Sequence, residues 1–260
     1  MQALKLPASA GIDWLRKGFA IFKQRPALFI FLAFIWNFNT IISIQLLGFF
    51  GLFSVALVQP LYIAFILLFC DFISEDKKFS FGDAFKSFTE SNQLKALLLA
   101  GLIYGVILFV LEMFFTPSLL KESEVSKILA TSTQGEMTAE SYAAIAGAIN
   151  PVTIIVMFVY TVVLTLVYWF VPALILWDRV EVIKSIVFST IGVIRNIPAF
   201  ITMAIPALGI GFVIWSLIVL SIFSGSMGAF VAFILQLLLI SLLMTIYCAM
   251  YVSYKQIYQR

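Results

Sequence analysis

The chain contains no histidine, only two cysteines, and few charges: 11% of its residues are Asp, Glu, Lys or Arg. Without histidine there is no Ser-His-Asp or Cys-His nucleophile arrangement, and the commonest transition-metal ligand is missing. Cys70 and Cys248 read as isolated thiols at the inner ends of apolar runs, on the reducing side of a membrane. They are expected to be small packing residues, not a structural disulfide. The acidic pairs Asp71/Glu75 and Asp178/Glu181 fall at turns or helix caps, so no general acid or base is assigned. Strands are not expected either, because open sheet edges are not tolerated in lipid and the period-two alternation of a barrel is absent.

What the chain has in excess is apolar residues in unbroken blocks. It is 63% hydrophobic, against roughly 45–50% for a soluble domain. Ala27 to Cys70 is 44 positions without a charge, and Asn196 to Tyr254 is 59. As helix, the first run would extend about 66 Å at 1.5 Å per residue, twice a hydrocarbon core of about 30 Å. Each run must therefore cross, turn and cross back. Ala96 to Phe115 and Pro151 to Trp177 add one pass each. The expectation is an all-α polytopic membrane protein with six transmembrane helices, forming one integral membrane domain over residues 1–260.

Basic residues in short loops stay on the cytoplasmic side. Fourteen of the sixteen Lys and Arg residues fall in segments that this rule places together; Lys121 and Lys127 are the exceptions. Both termini, residues 71–95 and residues 178–196 are thus expected to be cytoplasmic, and residues 116–150 extracytoplasmic. The first 26 residues are charged and amphipathic, with no cleavable signal pattern, so the first span is expected to act as an uncleaved anchor.

Three segments precede pairs of spans. In Gly11 to Arg25, residues Trp14, Leu15, Gly18, Phe19 and Phe22 share one stripe, as in a helix lying on the inner leaflet. Ser80 with Asp83, and Asp178 with Glu181, read as capping boxes opening two further surface helices. In the last of these, Ile183, Ile186, Val187, Ile191 and Ile194 are expected to face the membrane, and Lys184, Ser185, Ser189 and Arg195 the opposite side. Residues 11–71, 79–178 and 179–254 therefore read as three pseudo-repeats, each a cytoplasmic interfacial amphipathic helix followed by a helical hairpin. The segments Trp14-x3-Gly18-Phe19-x2-Phe22-x3-Pro26, Pro172-Ala173-x4-Asp178-x5-Lys184 and Arg195-Asn196 resemble the uncharacterised BPSS-type family of bacterial inner-membrane proteins. They are more distantly similar to the YciC-like proteins and to the membrane domain of some glycerophosphodiester phosphodiesterases. The resemblance implies a six-helix protein of the bacterial inner membrane and brings no catalytic residues.

Candidate sites within the spans are few. Glu112 is the one charge at depth, near the outer end of the third span. Asn37, Asn39, Thr40, Ser43 and Gln45 make the first span the most polar; they serve either as a helix-packing face or as the wall of a wet path, and packing is favoured. Gly101 and Gly105 form a helix-contact motif. Pro60, Pro172 and Pro206 are expected to kink their helices. No catalytic residue, metal site, cofactor or nucleic-acid surface is assigned. The expected role is non-enzymatic: a scaffold, an assembly or accessory subunit, or a membrane-homeostasis factor, with membrane lipids and another membrane protein as partners. The alternative is a small transporter or channel for an uncharged or apolar solute.

Overall fold

The structure is a computed structural model of the full chain, and it describes residues 2–77, 82, 93–119, 147–148, 150–222 and 225–259. The expected Ser80/Asp83 cap, most of the expected second surface helix and most of the loop over residues 116–150 lie outside the described residues.

The described residues with regular structure are helical: α1 (Ala10–Phe22), α2 (Pro26–Leu47), α3 (Phe49–Ser74), α4 (Gln93–Leu119), α5 (Pro151–Val167), α6 (Val171–Asp178), α7 (Val182–Arg195), α8 (Ile197–Ile222) and α9 (Gly225–Tyr258). Among the described residues, six segments are long and apolar enough to cross a membrane, with α5 and α6 together counting as one. This is a multi-pass membrane protein.

The turns follow from local chemistry. Pro26 opens α2, where a missing N–H leaves no intrahelical bond unmade. Gly48, at φ +55, makes the reversal between α2 and α3 with one residue, a conformation costly for any side chain with a Cβ. Pro60 and Pro206 lie inside continuous helices. Pro172 does not act as an interior kink. The fourth span breaks before it, at 168–170, and Pro172 sits in the first turn of α6.

The helix pairs are unequal. α2 packs on α3 and α8 on α9, but α4 packs chiefly along α3 and touches α5 less. The α3–α4 contact depends on Gly101: a Cβ there would meet the Leu57 carbonyl oxygen at 1.8 Å, and one at Gly105 would meet the Phe53 ring at 3.2 Å. The backbones approach because those side chains are absent, as the Gly101/Gly105 motif leads one to expect. α5 is covered on few sides, with Val152, Ile155, Phe158 and Val163 all exposed.

The short helices do not pack as their sequence positions suggest. α1 precedes the α2–α3 pair yet lies mainly against α9 and α8. Its stripe is therefore not simply lipid-facing: Trp14, Gly18 and Phe22 are buried against protein, while Phe19 is exposed. Gly11 and Gly18 permit this, since a Cβ on either would collide with the backbone of Ala199 or Ala249. α7 precedes the α8–α9 pair but packs mainly on α6 and α5. Of the face expected to meet the membrane, Ile183, Val187, Ile191 and Ile194 are exposed, but Ile186 is half-buried against the core. The opposite face is split: Ser185 and Ser189 are fully buried against protein, while Lys184 and Arg195 are exposed. Small residues there let the helix approach. Each of the two short helices thus rests on a pair other than the one it leads.

The Asp178/Glu181 capping box does not form. Asp178 is the last residue of α6, and Arg179 follows in the left-handed region at φ +52. Glu181 occupies the N-cap of α7 without a side-chain cap bond and pairs instead with Lys184 at 2.9 Å.

Candidate functional site at the charged end of the bundle

The C-terminal ends of α3, α6 and α9 meet in one cluster. The last turns of α9 present Tyr251, Tyr254, Lys255 and Tyr258 on the face turned toward the core. Tyr251 donates its hydroxyl to Asp71 Oδ1 at 2.9 Å and lies 2.7 Å from the Ser74 hydroxyl. Lys255 Nζ pairs with Asp71 at 3.0 Å and with Glu75 at 3.8 Å. Tyr254 donates to the Asp178 carboxylate. Trp177 stacks on Tyr254 with centroids 5.0 Å apart, and Lys255 Nζ sits 5.9 Å above the Trp177 ring.

A charge near a bilayer is tolerated where partners replace its hydration. Here each carboxylate of Asp71 and Asp178 has a phenol donor, and the ammonium has two carboxylates and two aromatic faces. Asp71 and Lys255 are mostly shielded, with side chains 18% and 26% exposed, so the pair is worth more than a surface ion pair. Outside the spans, Lys77 beside Glu75 holds that carboxyl below its usual range. The cluster joins three helices through charge-assisted bonds and leaves no unpaired acid or base among them.

Two neighbouring features complete this end. Cys70 and Cys248 are not isolated: their sulfurs are 3.3 Å apart and both residues are fully buried. Asn196, also fully buried, donates to the carbonyls of Leu4 and Gly192 at 2.8 and 2.9 Å and accepts from the Leu6 N–H at 2.8 Å. Arg195 adds a bond to the Ala3 carbonyl at 2.8 Å, and the Leu4 N–H reaches the Ile257 carbonyl at 2.9 Å. Residues 3–8 are thus strapped across the junction of α7, α8 and α9. The break in the fourth span is satisfied in the same way, by the Ser189 hydroxyl accepting from the Phe170 N–H at 2.9 Å. Nothing local in the sequence marks the long-range bonds of this strap, which join positions as far apart as Leu4 and Ile257.

The polar residues of the first span do not share one face. At about 100° per residue, Asn37 and Asn39 point roughly 160° apart. Asn37 and Gln45 are exposed, whereas Asn39, Thr40 and Ser43 are half-buried. Asn37 donates to the Ala33 carbonyl at 2.8 Å and Thr40 to that of Trp36 at 2.9 Å, both within α2. Glu112 is half-buried in α4.

A second buried group has no counterpart among the expected sites. Tyr62 stacks on Trp36 at 4.4 Å and meets Tyr247 at 6.4 Å, while Tyr104 meets Tyr168 at 4.9 Å. The hydroxyls of Tyr62 and Tyr168 are buried and have no hydrogen-bond partner among the described residues. No group of three or more metal-ligating side chains occurs among the described residues.

The arrangement defines a class, the multi-pass helical membrane protein with a polar clamp at one end. Beyond that class, no family model, no curated protein and no solved structure matches the chain.

Proposed function

We propose that this protein is a non-enzymatic accessory or scaffold subunit of a bacterial inner membrane, with both termini and the aromatic–carboxylate clamp on the cytoplasmic side. The orientation follows from the distribution of basic residues, and the membrane from the family resemblance of the Trp14-to-Pro26 and Pro172-to-Asn196 segments. One observation carries the role: Asn37 and Gln45 are exposed, on a helix whose other exposed residues are apolar. An amide directed into hydrocarbon lacks partners for the bonding capacity it does not use within its own helix, and a neighbouring transmembrane helix supplies them. A second chain packed on α2 accounts for both residues. The test is a photo-crosslinking amino acid at position 37 in cells. The expected result is one specific adduct with a membrane protein of defined mass. Crosslinks to lipid alone would remove the reading.

The alternative, a path for an uncharged solute, is favoured by a different observation, the buried and unpartnered hydroxyls of Tyr62 and Tyr168. Solute flux in proteoliposomes that is lost in Tyr62→Phe/Tyr168→Phe, with the fold retained, would support it over the subunit reading.

A further inference from the structure

Beneath α1 runs a groove of about 580 Å³ between α1 and the middle turns of α8 and α9. Leu15 and Phe19 of α1 form one wall; Ala207 and Ile210 of α8 and Leu238 and Leu242 of α9 form the others. The small pair Pro206-Ala207 leaves the space that a larger side chain would fill. The hydroxyls of Ser241 and Thr245 are turned into their own helix, onto the Leu237 and Ser241 carbonyls at 2.8 Å, so the walls offer apolar contact.

A second recess, of about 610 Å³, lies on the other side of α1. It is lined by Ser9, Asp13 and Gln256 beside Leu6 and Pro7. Ile12 and Arg16 border both spaces. An apolar groove and a polar recess therefore adjoin at a single guanidinium.

The charges at that junction are unequal. Asp13 is paired with Lys17 at 2.7 Å, and that contact holds the Asp13 carboxyl below its usual range. Arg16 has no carboxylate within ion-pair distance among the described residues, and it is exposed. One positive charge is left over where the apolar walls end.

We propose that this site binds one anionic glycerophospholipid, with its phosphodiester on Arg16, its headgroup in the Ser9–Asp13–Gln256 recess and an acyl chain along the α8–α9 groove. The volume of each space is in the range of small-molecule sites. A guanidinium matches a phosphate in charge and can donate two parallel bonds. A free phosphate would gain nothing from the groove, and an apolar solute nothing from Arg16. The site lies on α1, α8 and α9 and does not depend on docking of a partner at α2.

The test is native mass spectrometry of the purified, delipidated full chain titrated with phosphatidylglycerol, phosphatidylcholine or inorganic phosphate. The wild type is expected to retain one phosphatidylglycerol, with about fivefold preference over phosphatidylcholine, the ratio that one basic residue at a headgroup supplies. Arg16→Gln should abolish that preference, Arg16→Lys should keep part of it, and Arg25→Gln, outside the groove, should leave it unchanged. Ile210→Trp, at an exposed position in the groove wall, should weaken both lipids. Melting curves would confirm that the variants are folded; because Arg16 and Ile210 are exposed, no loss of fold is expected. Equal uptake of both lipids by the wild type would mean annular lipid only. Displacement by inorganic phosphate would mean a free-anion site, and a copurifying polypeptide that shields Ile210 from crosslinking would mean a protein occupies the groove. Each of these results overturns the proposal.

Discussion

The Sγ atoms of Cys70 and Cys248 lie 3.3 Å apart in the core, bringing α3 and α9 into direct contact. Residues 178 positions apart in the chain therefore meet at a point where a larger side chain would overpack the core. With both fully buried, neither is open to reagents. A maleimide should label no cysteine in the folded, detergent-solubilised protein and both after denaturation. Cys248→Leu should lower stability by about 1–3 kcal/mol, the usual cost of overpacking a filled core, read as a reduced melting temperature. Rapid labelling of the native protein would mean that the α3–α9 contact is open.

Lys255 is expected to be the most sensitive member of the clamp. Removing one partner of a shielded pair leaves the other charge uncompensated, at a cost of about 3 kcal/mol. Lys255→Met should therefore destabilise the protein strongly, while Lys255→Met/Asp71→Asn should recover part of the loss. Lys184→Met, in an exposed pair with Glu181, should change stability by less than about 1 kcal/mol. Thermal unfolding of the three variants beside the wild type gives the comparison directly.

Buried phenols distinguish a dry core from a wet one. A hydroxyl without a partner in a dry site costs about 1–3 kcal/mol, so Tyr62→Phe and Tyr168→Phe should be neutral or stabilising. Tyr251→Phe, which removes a donor to Asp71, should destabilise. If all three destabilise equally, the interior around Tyr62 and Tyr168 is hydrated.

The orientation can be read by fusion. A phosphatase active only outside the cytoplasm should give signal when inserted at Gly135 and none when fused after Arg260. The opposite pattern would invert the bundle.

Much of the helical layout is legible from composition, because a charge within hydrocarbon costs about 2.5–3.5 kcal/mol and the uncharged runs therefore mark the spans. Gly101 and Gly105 carry a common and unspecific helix-contact signal, so the sequence allows a close helix approach there, and the structure shows it to be with α3 at Leu57 and Phe53. The tertiary assignment of the short helices was not legible. A stripe such as Trp14, Gly18 and Phe22 fits either lipid or protein, and periodicity cannot choose between them. Ser185 and Ser189 look solvent-facing by polarity, yet they are buried because small size and a single hydroxyl suit a tight contact with the broken span. The Asp178/Glu181 spacing has the form of a cap, but Tyr254 competes for the carboxylate from 76 residues away. Asn196 gave no local signal because its three bonds serve backbone groups, most of them distant in sequence.

The docking of residues 3–22 onto α8 and α9 has a consequence for biogenesis. This segment is synthesised ahead of the six spans described here, but the surface that receives Trp14, Gly18 and the Leu4–Leu6 strap is built from residues 196–257. Until those are synthesised and inserted, the helix has only the membrane interface on which to rest its indole and phenyl groups. Closure of this long-range contact must await residues 196–257, and a product truncated before Asn196 would leave Trp14 and Phe22 without the protein surface that buries them.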